Sequence, residues 1–389
     1  MHPGYTTITP AVVHRLASAA LESTLGLKPY KASVSVRQLL DLVLLIAAGT
    51  CTLFAVARRH FSFSHQTARQ ALEHNLPTPE NLTAHLVDAL FAVATFGRRD
   101  RRRRWTVAID THDVPYYGSR FTVGIIGGQK KQGTKYFFRY ATAILTHRRR
   151  RYTVGFLAVT KGIKPHQVVK TLLDQITSHG LTVGGVVLDS GFDSGETILL
   201  LQDRKVSYTV PLRRKGNKSN RRNDYFTKPS GTLGTVAWVT EESRRAVSTR
   251  VLVWRRKGQP DTKVYAFAGW GDARAVSEAK RAYLARRRYR DRFGIETSYR
   301  QKNQGRGWTT SRSVTYRLLL EGVALVLRQV WVCLTQQIAK ARGLSPSAWV
   351  EALPLVELVE WLADHLRDLY PHQRRIDLTP PILTDTATP

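Results

Sequence analysis

Val107-Ala108-Ile109-Asp110 is a short apolar run that ends on a carboxylate, and the pattern returns as Val186-Val187-Leu188-Asp189. Each run places an acid where a buried strand reaches solvent. Outward from the first, residues 105–110, 135–146 and 152–160 read as three strands. The last two form a hairpin that turns at His147-Arg148-Arg149-Arg150-Arg151. Residues 165–179 space Val168, Val169, Leu172, Leu173 and Ile176 as a helix does. A strand over 182–188, a helix over 194–204 and a strand over 206–212 follow, so the order is βββαβαβ.

The flanks differ in rhythm. Residues 11–96 carry helical periodicity only, which predicts an all-helical N-terminal domain (1–98) with a possible role in binding DNA ends. Within it, helices over 52–60 and from Ser64, with Gln66, Thr67, Arg69 and Gln70 exposed, have the layout of a helix-turn-helix or of a plain bundle. The basic run Arg98-Arg99-Asp100-Arg101-Arg102-Arg103-Arg104 reads as a linker lying on phosphate. The first part of the core spans 99–212, and a β-rich insertion occupies 213–270 with strands over 232–240, 249–254 and 264–268. A long helix over 273–303 and a helix over 315–340 complete a segment 271–342. The last segment, 343–389, holds a helix over 346–369, with Ser345 as N-cap and Pro346 at its first position. A Pro/Thr-rich tail from Thr379 reads as disordered.

The chain has 389 residues with 60 Lys and Arg against 29 Asp and Glu, a formal charge of +31. So large and clustered a positive charge calls for a polyanion, and nucleic acid is the leading partner. Cys51 and Cys333 stand alone without metal-ligand spacing, which argues against a disulfide framework or a zinc site. The N-terminal residues lack the basic start and apolar run of a signal peptide, and the uncharged stretch 42–57 is too short and too interrupted for a membrane span. The expectation is therefore a cytoplasmic, nucleoid-associated protein without a membrane partner. Gly128-Gln129-Lys130-Lys131-Gln132-Gly133-Thr134-Lys135 nearly matches a phosphate-binding P-loop, but its last two residues are in the wrong order and it precedes a strand, so no nucleotide cofactor is expected.

The βββαβαβ order is that of an RNase H-like core. In that fold the first and fourth strands lie side by side and parallel, which brings Asp110 and Asp189 to one sheet edge. Adjacent carboxylates repel unless a cation neutralises them, and hard oxygen donors suit Mg²⁺ or Mn²⁺. A third acid is expected from a later helix. In Tyr289-Arg290-Asp291-Arg292-Phe293-Gly294-Ile295-Glu296, residues Tyr289, Arg292 and Glu296 fall on one helical face, able to offer an acid to metal and a cation to phosphate together.

On these residues the chain resembles DDE transposases of the insertion-sequence class, whose RNase H-like core carries a β-rich insertion and a Tyr-x2-Arg-x3-Glu-x6-Lys signature. The resemblance covers about 105–334. It implies two metal ions per site held by Asp110, Asp189 and Glu296, cleavage at terminal inverted repeats of double-stranded DNA, strand transfer into target DNA, and a homodimer in the synaptic complex. Tyr289 and Arg292 would position the terminal phosphate. The signature lysine falls on Asn303, with Lys302 one residue early. At about 100° per residue Lys302 points away from Glu296, whereas Arg300 stays near it, so Arg300 is the expected phosphate contact and Lys302 the alternative.

Other candidates are weaker. Asp193 is expected to cap the helix from Ser194, Asp113 to assist the catalytic acids, and Glu196 is a rival acid. His112 reads as a local hydrogen-bonding residue. Trp254, Trp270 and Trp308 are possible stacking platforms for a displaced base. The basic clusters 148–151, 213–218 with Arg221 and Arg222, 255–257 and 286–288 fall in loops of the core and read as phosphate contacts. Rival readings are a nuclease or resolvase on the same fold and an inactive relative that only binds DNA.

Overall fold

A computed structural model of the chain describes residues 7–94, 96–146, 151–216, 221–255, 258, 261–271, 276–344 and 352–372. The N-terminal part is helical: α1 (Pro10–Leu25), α2 (Val36–Ala48), α3 (Leu53–His60), α4 (His65–Asn75), α5 (Pro79–Ala94) and the short α6 (Arg98–Arg101). Side-chain caps open α1 to α4 at Thr9, Ser35, Thr52 and Ser64, each oxygen satisfying a backbone N–H of the first turn. The basic run from Arg98 is not a free linker. It forms α6 and enters the first strand, and Arg101 donates to the His179 carbonyl at 2.6 Å.

The core follows as β1 (Arg104–Tyr116), β2 (Ile126–Lys131), β3 (Thr134–Leu145), β4 (Thr153–Val159), α7 (Pro165–Ser178), β5 (Thr182–Leu188), α8 (Gly195–Asp203) and β6 (Ser207–Leu212). β3 pairs antiparallel with β1 and with β4, and β1, β5 and β6 are parallel neighbours. This is the RNase H-like arrangement. One strand is additional: β2 forms a hairpin with β3. The P-loop-like segment is that hairpin's turn, with Gln132 and Gly133 at positive φ.

The insertion contributes β7 (Leu233–Val239), β8 (Ala246–Arg255) and β9 (Thr262–Ala268). β9 pairs with β6, Pro211 opposite Tyr265, so the insertion extends the core sheet to nine strands. Two helices, α9 (Glu278–Asp291) and α10 (Phe293–Lys302), replace the single long helix expected over 273–303. At the junction the Arg292 N–H bonds Tyr289 O at 3.1 Å and the Ile295 N–H bonds Arg292 O at 2.8 Å, a tightening to i→i+3 bonds that interrupts the α-helical phase.

α11 (Val314–Ala341) is the central core helix. It is long and apolar enough to cross a membrane, yet it is enclosed by the protein and packs on α5 and α2. Its polar residues are bonded in place: Gln329 accepts from the Thr153 N–H and donates to Leu90 O and Thr153 O, joining α11 to α5 and β4. A Cβ at Gly322 overlaps the methyl groups of Leu86 on α5. Gly322→Val is expected to destabilise the fold by about 1–3 kcal/mol through this overpacking, read as a lower urea midpoint. The last described helix, α12 (Leu355–Leu369), starts after Pro354 and is shorter than expected. Ser345, Pro346 and the tail from Thr379 lie outside the described residues.

Candidate active site

Asp110 sits on β1 with Ile109 opposite Leu188 of β5 in parallel register, so Asp110 and Asp189 each lie one residue past a paired position. Asp189 closes β5 and caps the turn Ser190–Phe192, its Oδ1 accepting from the Gly191 N–H at 2.5 Å. Asp110 is 7% exposed, and its Oδ1 accepts from the Thr111 N–H at 2.8 Å. α10 lies over the same sheet face, where Ala108, Ile144 and Val187 pack against Tyr289 and Ile295. Tyr299 of α10 donates its hydroxyl to the Asp110 carbonyl at 2.9 Å and meets Thr142 Oγ1 at 2.9 Å, so α10 is tied to the strand that carries the first acid.

Arg292 joins the acids. From the helix junction its guanidinium donates to Asp110 Oδ2 at 2.9 Å and to Glu296 Oε1 at 3.0 Å, and it lies 5.4 Å from the centre of the Tyr289 ring. Burial, with Asp189 and Glu296 nearby, pushes the Asp110 carboxyl up to about 7, against the pull of Arg292. Asp110 and Glu296 therefore share one cation, and Asp189 lies in the same electrostatic field. Their donor set is all hard oxygen, the kind of ligand that divalent cations take. Among the described residues no three His, Cys, Asp or Glu side chains gather closely enough to hold one ion, and Arg292 stands between Asp110 and Glu296.

The remaining candidates separate clearly. Arg300 is exposed on α10. Lys302 is not available to phosphate: it is fully buried, ion-paired with Glu321 of α11, and 2.8 Å from His112 Nε2. Glu321 also takes Arg306 at 2.7 Å and lies 3.2 Å from His112. Burial alone would raise the Glu321 carboxyl, but Lys302, His112 and Arg306 hold it well below the usual range. Tyr289 is buried, its ring 4.9 Å from that of Tyr265. It can support Arg292 but presents no free surface to DNA. Trp270 is buried with its N–H donating to Tyr208 O and Thr209 Oγ1, so it is a packing residue and stacks on no base. The half-buried Trp254 is covered by Arg286 at 3.3 Å, whereas Trp308 is 65% exposed.

Asp193 does not cap α8; Ser194 does, and Asp193 accepts from the Arg213 N–H at 2.7 Å and from Arg222. Arg222 is thereby buried and withdrawn from any phosphate. Asp113 is held by Arg139 at 2.6 Å and Lys131 at 3.4 Å and does not touch the acids. Glu196 accepts from Ser243. Residues 148–150, 218, 256 and 257 of the basic clusters lie outside the described residues. Sequence reasoning missed Tyr299 and Glu321. The one available signal was an acid at 321 inside an otherwise apolar helical run.

Residues 101–327 match the family described as Transposase DDE domain, which is more than half of the chain. No curated protein sequence matches. Among solved structures, the piggyBac transposase synaptic complex with hairpin DNA superposes with a TM-score of 0.52 at 11% identity, over 97% of this chain and 84% of that one. The likeness shows a shared fold.

Proposed function

The chain belongs to the transposase DDE domain family, and from that premise we propose how its own residues serve the metal-dependent DNA cleavage and strand transfer of a DDE transposase. Asp110, Asp189 and Glu296 hold the divalent cations, two Mg²⁺ or Mn²⁺ ions. The observation that supports this assignment is that Arg292 bridges Asp110 of β1 and Glu296 of α10, with the end of β5 paired beside Asp110. When bound, such cations supply Lewis-acid stabilisation of the phosphoryl oxygens and a more acidic water.

The chain's own groups do the rest. Arg292 balances the acids and is placed to take a non-bridging oxygen of the cut phosphate once Asp110 is engaged elsewhere. Tyr289 supports it from below. Arg300, exposed one turn beyond Glu296, contacts the DNA backbone. Terminal inverted repeats as substrate, a homodimer that joins two ends, a role for α3 and α4 in gripping those ends, and action on the nucleoid of a prokaryotic cell complete the reading.

The test is incubation of the purified protein with DNA carrying the repeats that flank its own gene. Cleavage at the repeat ends and joined target products in Mg²⁺, absent with EDTA, are expected. Cleavage without joined products favours a nuclease, and binding alone an inactive relative. For the phosphate contact, Arg300→Ala is expected to weaken end binding about tenfold at most and to lower the salt slope by about 1. Wild-type binding by that variant, with loss in Lys302→Ala, would reverse the assignment.

A further inference from the structure

The turn that carries Asp189 is closed by a second acid that the cleavage chemistry leaves unused. Residues 189–193 form one tight unit: the Phe192 N–H bonds Asp189 O at 3.2 Å, the Asp193 N–H bonds Ser190 O at 3.3 Å, and the Phe192 side chain is buried. The Asp193 side chain is buried as well, 1% exposed.

There it holds the basic segment 213–215 from two sides. Asp193 Oδ2 accepts from the Arg213 N–H at 2.7 Å, where the insertion begins, and from the buried Arg222 guanidinium. The next residue, Asn223, clasps the far end of the segment, donating to Lys215 O at 2.7 Å and accepting from the Lys215 N–H at 3.1 Å. Arg213, Arg214 and Lys215 themselves stay on the surface. The first of them flanks the Asp189 turn: a Cβ added at Gly191 would stand 3.6 Å from Arg213 Nη2 and 2.7 Å from Asp189 Oδ1.

Fold stability does not account for this arrangement. Asp193 Oδ1 is buried without a hydrogen-bond partner among the described residues, and such an ion pair stabilises a fold no better than apolar side chains of the same volume. Nor is the pair needed to attach the insertion. β9 pairs with β6, Arg245 bonds Asp203 at 2.7 Å, and Glu196 accepts from the Ser243 N–H at 2.8 Å. What the pair adds is a fixed distance between Asp189 and the surface cations of 213–215.

We propose that Asp193 is a positioning residue, which with Arg222 locks segment 213–215 to the Asp189 turn, so that DNA on the segment and a divalent cation at Asp189 strengthen each other's binding. The proposal rests on the transposase reading and adds to it a link between the insertion and the metal site. Rigid joining makes two ligands cooperate, because each then finds the other's contacts already in place, and the gain is the same whichever binds first.

The test measures the affinity of a pre-cut end duplex by fluorescence anisotropy, in EDTA and in Mn²⁺. Wild type is expected to bind at least about fivefold tighter in Mn²⁺, a coupling of ordinary size. The double variant Asp193→Leu/Arg222→Met replaces the pair with apolar side chains, so its urea midpoint should stay near wild type while its gain from Mn²⁺ falls to about twofold or less. Its affinity in EDTA should stay within about twofold of wild type, a split that a merely structural role would not produce. Asp193→Asn, which keeps the volume and one acceptor oxygen, should fall between the two. A gain as large as that of wild type in either folded variant overturns the proposal, as does an equal loss of affinity in EDTA and in Mn²⁺. If wild type cleaves and joins DNA but gains nothing from Mn²⁺, this proposal alone fails. If it neither gains affinity nor cuts, the transposase reading fails and takes this proposal with it.

Discussion

Asp110→Asn is expected to abolish cleavage and, in metal-free buffer at neutral pH, to make the protein more stable. Loss of a ligand to catalytic cations removes several kcal/mol of transition-state stabilisation, a fall of about a thousandfold or more in rate. The stability effect has the opposite sign. Burial first, then the neighbouring acids, raise the Asp110 carboxyl from 3.8 to about 7 in the folded chain. A carboxyl whose pKa is raised by folding binds its proton more tightly in the native state. Its contribution is therefore fully present below about pH 4 and is lost as pH rises through about 7. At pH 8 the ionised side chain costs the metal-free fold about 2–4 kcal/mol, and asparagine removes that cost. Urea unfolding at pH 5 and pH 8 checks this: the wild type should lose stability between the two, and the variant should lose less. A variant that loses as much stability as the wild type between the two pH values contradicts the account.

Lys302→Met is expected to lower folding stability by about 3 kcal/mol while leaving DNA affinity near the wild-type value. The lysine is fully buried against Glu321, and its removal leaves that carboxylate with Arg306 and His112 alone in a dry environment. Burial depresses the Lys302 ammonium even though Glu321 favours its charge. Urea unfolding reads the loss, and anisotropy against an end duplex reads the affinity. A stable variant that fails to bind DNA would return Lys302 to the phosphate. The consequence reaches the active site, because Lys302 ends α10, the helix that presents Glu296.

The strand order and the placement of Asp110 and Asp189 at one sheet edge were legible in the sequence for a simple reason. A buried parallel strand must be apolar throughout, so a carboxylate at its end stands out, as Asp110 and Asp189 do. Elements whose stability comes from distant partners were not legible. β2 contains Gly127, Gly128 and Lys130, which read as loop, and it is a strand because β3 offers it a free edge. The break at Arg292 has no proline to announce it; only Gly294, where an added Cβ would press on Arg151, marks the spot. Lys302 and Arg300 look alike in sequence, and burial against Glu321, nineteen residues later, separates them. Trp270 and Trp308 were equal candidates for stacking in the sequence, and the structure buries the first, its N–H bonded to Tyr208 O, and leaves the second exposed.

The account's central claim is that Asp110, Asp189 and Glu296 contact metal ions during cleavage, and an aspartate-to-cysteine exchange tests it most directly. A thiolate is a poor ligand for Mg²⁺ and a better one for softer cations. Asp189→Cys should be inactive in Mg²⁺ and regain cleavage at the terminal repeats in Mn²⁺, with binding to the same DNA intact in both. Equal activity of Asp189→Cys in the two metals, or an equal loss that Mn²⁺ does not relieve, would contradict the assignment.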